Sequence, residues 1–207
     1  MSRRVLAPEA GWHEAVQERL PLPSPRETGL LFRAVGLAAR AFGRRGVPAV
    51  FVLLARHRRL FWAWLLFAAQ MMPFGRLPAS ERELLILRTA WLSRCRYEWG
   101  QHVQLAGRVG LSDADIVRVT AGASAFGSAR LRAMLEACDE LLRDATVAAP
   151  TLASLQAHLD AREITELVLL VGHYRMLAGM LNGAALPLDA DMEAELAAFE
   201  ARVGAMS

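Results

Sequence analysis

Apolar positions recur along this chain at helical spacing almost from end to end. No segment alternates apolar and polar residues as a strand would, and no Asn-Gly or Asp-Gly pair marks a hairpin. The pattern predicts a first short helix from about Pro8 to Leu20, closed by the proline-rich stretch Pro21 to Pro25. A second covers about Arg26 to Phe42 and stops at Gly43. A third lies between Pro48 and Met72, bent at the cluster Arg56-His57-Arg58-Arg59, and ends before Pro73.

Ser80-Glu81-Arg82-Glu83 has the form of a capping box, with Ser80 as N-cap and Glu83 at N3, leading into LLILRTAWL. Its continuation, or a separate helix, holds Cys95 to Val109 and ends at Gly110. Ser112-Asp113-Ala114-Asp115 starts the next, which ends near Gly122. Four more are predicted at Ala129–Asp144, Thr151–Asp160, Glu163–Leu181 and Asp189–Val203, joined by short turns. With no repeat and no flexible linker, residues 1–207 read as a single all-α domain.

Composition narrows the functional classes. All 24 basic residues are arginine, so chemistry that needs a lysine amine is excluded, whether a Schiff base or a P-loop. Hydrophobic residues make up 54% and mean hydropathy is +0.24, which excludes a disordered chain and predicts apolar surface buried between subunits of a homo-oligomer. Charge is unevenly spread: residues 1–108 carry 17 Arg against 7 acids, and residues 109–207 carry 7 Arg against 14 acids. Two partners suit such a basic half, an anionic surface or the acidic half of the protein. Without lysine or an aromatic-studded basic loop the second is favoured, and no nucleic-acid partner is expected.

Cys95 and Cys138 lie too far apart for a zinc motif and too few for a disulfide framework, so a reducing, cytoplasmic setting is expected. The N-terminus lacks the apolar run of a secretory signal. The apolar stretch Val47 to Phe74 is interrupted by its Arg/His cluster, so no membrane span is expected there.

Candidate chemistry concentrates between residues 77 and 116. On a helix, Cys95, Glu98, Trp99 and His102 fall at i, i+3, i+4 and i+7 and share a face. Glu98 and His102 can hydrogen-bond and hold one proton between them as general acid and base, and a nearby imidazole would favour the Cys95 thiolate. The same spacing also suits a surface ion pair with Cys95 and Trp99 in the core. Glu83 has a plain alternative role in its capping box, and Cys138 reads as a small buried hydrophobe. His173 and Tyr174 sit in the apolar segment LVLLVGHYRMLAGMLNG, where the Tyr174 hydroxyl either faces a pocket or is satisfied in the core. His57 is expected to face solvent, and no third ligand accompanies Glu98 and His102, so neither metal nor cofactor is expected.

Leu77-Pro78, Glu81-Arg82-Glu83-Leu84, Cys95-Arg96-Tyr97-Glu98-Trp99, His102, Ala106 and Gly110-Leu111-Ser112 together resemble the carboxymuconolactone decarboxylase family, which includes the alkylhydroperoxidase D-like proteins. GHYRMLAGMLN and Leu188-Asp189 resemble its longer members. The resemblance is strongest over residues 77–120 and looser over about 45–190. It implies an all-helical, oligomeric fold (trimer, dimer or hexamer) with the active site near a subunit interface.

Position by position, the resemblance places Glu83, Cys95 and His102 on the peroxidase branch's glutamate, first cysteine and histidine. Glu98 stands where that branch's second, peroxide-reactive cysteine belongs, so the Cys-x-x-Cys relay is broken. The decarboxylase branch's Glu-x-x-x-His is reproduced by Glu98 and His102. The resemblance thus implies catalytic Glu98, His102, Cys95 and Glu83, with Tyr97, Trp99 and Tyr174 as substrate-binding candidates. In the decarboxylase reading His102 gives the proton, Glu98 sets its tautomer, and one of Arg88, Arg94 or Arg96 grips a substrate carboxylate.

Three functions follow. The first is cofactor-free acid–base catalysis, decarboxylation or isomerisation, on a small organic acid or lactone. The second is alkylhydroperoxidase-type activity through the single Cys95, and the third is a non-catalytic oligomer that binds an apolar ligand.

Overall fold

The computed structural model describes residues 6–13, 19–28, 32, 35–36 and 46–206. Among these, every regular element is helical. After a single turn, α1 (Pro25–Thr28), come α2 (Ala49–Leu54) and α3 (Arg58–Met71), with one 3₁₀ turn, Ala55–His57, between them. The break falls at the Arg/His cluster, as the sequence predicts. His57 makes it a true helix start: its imidazole Nδ1 accepts from the Leu60 N–H at 3.3 Å.

The centre of the protein is α4 (Ala79–Leu92), whose residues from Arg82 to Ala90 are all buried. It packs against α5 (Arg96–Arg108), α7 (Ala129–Asp144) and α9 (Ala161–Ala184). The remaining helices are α6 (Asp113–Ala121), α8 (Ala149–Gln156) and α10 (Ala190–Gly204). Trp99, Leu85, Ile86, Leu87, Leu135 and Leu155 lie in the main core, and Phe32, Ala55 and Phe61 form a smaller cluster under α2 and α3.

Local signals placed several ends well. Ser112 and Asp115 form a full capping box at the start of α6. The box expected at Ser80 and Glu83 does not form. Pro78, extended at ψ 140°, is the N-cap, so α4 starts two residues earlier and Glu83 turns inward. A second correction concerns α8, which begins with Pro150 in its first turn and stops at Gln156. Asp160 belongs to the next helix instead: it caps α9, accepting from the Arg162 and Glu163 N–H groups at 2.8 Å. The predicted Pro8–Leu20 helix is absent from the described part, where Leu6–His13 has a turn at Glu9–Ala10 and is otherwise irregular. Its middle, and most of the helix expected from Arg26 to Phe42, lie outside the described residues.

The two charge halves meet within the chain. Arg88 grips Asp139 through two hydrogen bonds of 2.7 and 2.8 Å, Arg96 pairs with Glu193, and Arg76 with Asp160. Helix α9 is long and apolar enough, by length and composition alone, to cross a membrane, and 44% of its most apolar window is buried within the protein. Its outer side leaves Leu169 and Met176 exposed.

Candidate active site

The site is built where α4, α5 and α9 meet. Cys95 ends the link between α4 and α5, and that link is unusually constrained. Arg94 sits in the left-handed region at φ 54°, a conformation that costs a non-glycine residue on the order of 1 kcal/mol. Three hydrogen bonds hold it there: Arg94 donates to the Gly11 and Ala10 carbonyls at 2.6 and 2.5 Å, and its own carbonyl accepts from the His13 N–H at 2.9 Å. The turn ends α4 and redirects the chain, so Cys95 is the N-cap of α5 rather than a residue within it.

From that start α5 carries Glu98 and His102 into the interior, where both are buried. His102 Nδ1 lies 2.7 Å from Glu83 Oε2 on α4. The expected partnership of Glu98 with His102 is therefore replaced by a long-range one, and it is Glu83 that sets the imidazole tautomer. An ionised Glu83 can only accept, so Nδ1 carries the proton and Nε2 is left as the basic nitrogen.

Glu98 is in the opposite condition. Neither carboxyl oxygen has a hydrogen-bond partner among the described residues. Burial alone then holds its carboxyl well above the usual carboxylate range, as a neutral acid. Tyr174 on α9 closes the group. Its ring meets the His102 imidazole edge-on at 5.1 Å, and its hydroxyl lies 3.4 Å from the Met72 sulfur. Burial keeps the phenol protonated. The site thus sets side by side an oriented imidazole and a buried carboxylic acid, two groups whose environments differ.

Cys95 is fully buried, and burial pushes its thiol far up. The backbone N–H groups of Glu98 and Tyr97 act in the opposite sense but do not prevail. The expected thiolate is not favoured. Cys138 lies on α7 beside Thr89, also buried and also raised, to about 12. Both cysteines are free.

The other sequence candidates divide cleanly. The Tyr97 hydroxyl donates to Asp189 Oδ2 at 2.9 Å and accepts from the Val50 N–H at 3.0 Å, tying α5 to the starts of α2 and α10. Gln101 donates to the same carboxylate oxygen at 2.6 Å. Trp99 points into a cluster with Trp12 and Trp91, ring centroids 5.9 and 5.2 Å away. Tyr97 and Trp99 therefore hold the framework, and Tyr174 alone of the three touches the Glu83–His102 pair. His173 faces away from it, stacked on Trp64 at 5.8 Å.

None of the three arginines expected to grip a carboxylate is available to do so. Arg88 spans from Asp139 to the Val119 and Thr120 carbonyls, Arg94 holds the N-terminal segment, and Arg96 pairs with Glu193. A cation that sequence reasoning missed is Arg82. It is buried beside Glu83, and its guanidinium donates to the Gly75, Leu77 and Pro73 carbonyls. Nothing local distinguishes Arg82 from the exposed Arg76; only the fold turns it inward. Among the described residues no three His, Cys, Asp or Glu side chains gather to hold a metal ion.

Comparison with known proteins places this geometry. No curated protein matches the chain in sequence. A peroxidase-related protein from Silicibacter sp. TM1040 is similar in structure, with a TM-score of 0.74 at 17% identity over 88% of this chain and 97% of that one. An AhpD-core, peroxidase-related protein from Ralstonia eutropha JMP134 follows at 0.72 and 19%, over 84% and 94%. The debrominase Bmp8, as a cysteine-to-alanine variant in complex with 2,3,4-tribromopyrrole, superposes at 0.73 and 12%, over 88% and 100%. At these identities the likeness establishes the all-helical, AhpD-like fold. Residues 58–140, which carry Glu83, Cys95, Glu98 and His102, match the model of the carboxymuconolactone decarboxylase family.

Proposed function

We propose that the protein is a cofactor-free acid–base enzyme that moves a proton on a small, largely apolar carbonyl compound such as a lactone. Isomerisation is the step best supported. The observation that carries this reading is the buried carboxyl of Glu98, neutral and unpartnered, one helical turn from an imidazole already oriented by Glu83.

His102 Nε2 removes a proton from the carbon next to the carbonyl, and the C–H electron pair passes into the enolate. Glu98 gives its proton to the far end of that system. This leaves an imidazolium and a carboxylate one turn apart, and transfer of the proton from His102 to Glu98 restores both groups. Decarboxylation would use the same donor: the C–C bond breaks, carbon dioxide leaves, and the resulting enolate takes the Glu98 proton. It would, however, draw on a cation to hold the substrate carboxylate, and Arg88, Arg94 and Arg96 are all committed elsewhere. The debrominase of the same fold was solved with a small halogenated ring bound, a ligand of the size and polarity expected here.

The test is solvent exchange. In D₂O, lactones and β-keto acids are offered to the protein, and deuterium entering the carbon next to the carbonyl is followed by NMR. Exchange that Glu98→Gln and His102→Gln each reduce by about a hundredfold or more supports the mechanism. Full exchange in both variants overturns it.

A second reading keeps peroxide reduction through Cys95, supported by the fold shared with peroxidase-related proteins. The burial of Cys95 and the glutamate in place of a second cysteine weigh against it. Assembly into a homo-oligomer belongs to the same proposal. The exposed apolar side of α9, with Leu169 and Met176, is the face expected to join copies, which sedimentation would show.

A further inference from the structure

Behind the turn that carries Cys95 lies a second cleft, of about 420 Å³, lined by His13, Arg19, Ser93, Arg175, Gly179, Asn182 and Gly183. Its chemistry differs from that of the buried site. Two guanidiniums and an imidazole face it, and no carboxylate is among its described lining residues. Arg19 and Arg175 are exposed, and neither forms an ion pair with a described carboxylate, whereas Arg76, Arg88, Arg96 and Arg130 are all paired.

The wall is built rather than incidental. Arg175 Nη1 donates to Ser93 Oγ at 3.0 Å, which fixes the guanidinium over the cleft and leaves its other N–H groups without a hydrogen-bond partner among the described residues. Asn182 Nδ2 donates to the Ser93 carbonyl at 2.9 Å. On the opposite side the Arg19 N–H bonds to the Ala184 carbonyl at 3.0 Å, anchoring Arg19 to the end of α9. Gly179 and Gly183, one turn apart on α9, leave the floor open, since a side chain built at either would meet nothing within 4 Å. The C-terminal end of α9 contributes a negative potential equivalent to about half a charge. Two full guanidinium charges outweigh it.

From this arrangement we infer that the cleft is a binding site for a small oxyanion, the carboxylate or phosphate group of a metabolite, held between Arg175 and Arg19 with the Ser93 hydroxyl and His13 beside it. Arginine suits either group, because its planar fork presents paired N–H donors to two oxygens at once. The site is distinct from the Glu83–His102–Glu98 group and does not depend on the reaction assigned to it. Ser93 is shared between the cleft and the α4–α5 turn, so occupancy at the cleft bears on the segment that positions Cys95.

The experiment titrates the full-length protein with orthophosphate in one arm and succinate in the other, at constant ionic strength. Trp12 and Trp91, in contact with each other beside His13 and Ser93, supply a fluorescence readout, and calorimetry a second. Saturable binding is expected in at least one arm, and the arm that saturates tighter names the group. Arg175→Gln and Arg19→Gln are each expected to weaken it about tenfold or more. Arg19→Gln leaves the Ser93 contacts intact and so separates ligand binding from damage to the turn. Arg118→Gln, at an exposed position on α6, serves as the control and is expected to change nothing. Absence of saturation up to about 10 mM of both anions overturns the inference, as does saturation that neither cleft variant weakens. So does an Arg175→Gln variant that binds normally but changes its sedimentation, for Arg175 would then serve contact between copies.

Discussion

His102 gives its hydrogen bond to Glu83, 19 residues earlier on a different helix, and not to Glu98, one turn away on its own. This divides two glutamates of one site by environment. Glu83 is hydrogen-bonded to the imidazole, whereas Glu98 has no partner among the described residues and keeps its proton. A single imidazole with both carboxyls ionised would be a poor site for moving a proton in two places. The observed arrangement supplies a base and an acid together.

Loss of the orienting partner is expected to cost rate before it costs fold. Glu83→Gln can still accept a hydrogen bond from Nδ1–H but no longer stabilises the imidazolium that forms during turnover. A fall in kcat of about ten- to a hundredfold with little change in KM is expected, by analogy with the loss of groups that orient a catalytic histidine. Steady-state kinetics on a substrate found by the exchange assay would check it. An unchanged kcat would remove Glu83 from the mechanism.

The pH dependence of stability has a definite sign at Glu98. Its carboxyl is raised in the folded protein, so the native state holds a proton that the unfolded chain loses near its ordinary value of 4.5. Stability from this group is therefore full at low pH and declines as pH rises above that value. Glu98→Gln removes the decline, and the variant is expected to be more stable than the parent at pH 8 but not at pH 4. Urea denaturation at the two pH values would decide.

His173 acts in the other direction. Stacked on Trp64 and buried, its imidazole is held down to about 4 from an ordinary 6.5. Between those values the unfolded chain binds a proton that the native state refuses, so stability falls as pH drops from 6.5 towards 4, by at most about 3 kcal/mol. His173→Phe, which keeps the ring contact, is expected to flatten that limb of the curve.

Thiol accessibility offers a direct check on the redox reading. Cys95 and Cys138 are both fully buried with raised thiols, and neither is expected to react with a disulfide reagent in the native protein. Two thiols per chain are expected after denaturation. Rapid native labelling of Cys95 would revive peroxide chemistry.

Arg88 is a strut rather than a substrate clamp. It ties α4 to Asp139 on α7 and to the last carbonyls of α6, with only 9% of its side chain exposed. Arg88→Met leaves Asp139 unpaired in a partly buried setting and is expected to cost about 3 kcal/mol of stability. Thermal unfolding would show the loss, and residual activity scaled to folded protein should be unchanged.

Features that depend on neighbours three or four residues apart were legible in the sequence. Ser112 and Asp115 announce a helix start because both partners of that box are local, and the cluster from Arg56 to Arg59 announces a break because an apolar stripe is interrupted there. The same reasoning failed at Ser80, where Pro78 took the cap and released Glu83 from it. Residues 77–120 also carried the family resemblance, and with it Glu83, Glu98 and His102 as a set.

What each member of that set does was assigned by the packing of the helices. The Glu83–His102 bond depends on how α4 crosses α5, which follows from the left-handed turn at Arg94 and the core packed around Trp99. Tyr97 and Tyr174 are both tyrosines in apolar helical surroundings, yet one is consumed by Asp189 and the other meets the His102 imidazole. Arg82, Arg88, Arg94 and Arg96 read alike in sequence, and the fold commits them to four different anchors. Helical spacing fixes which residues share a face, but the protonation and partners of a buried group are set by what the opposing helices bring to it, and that is a long-range property.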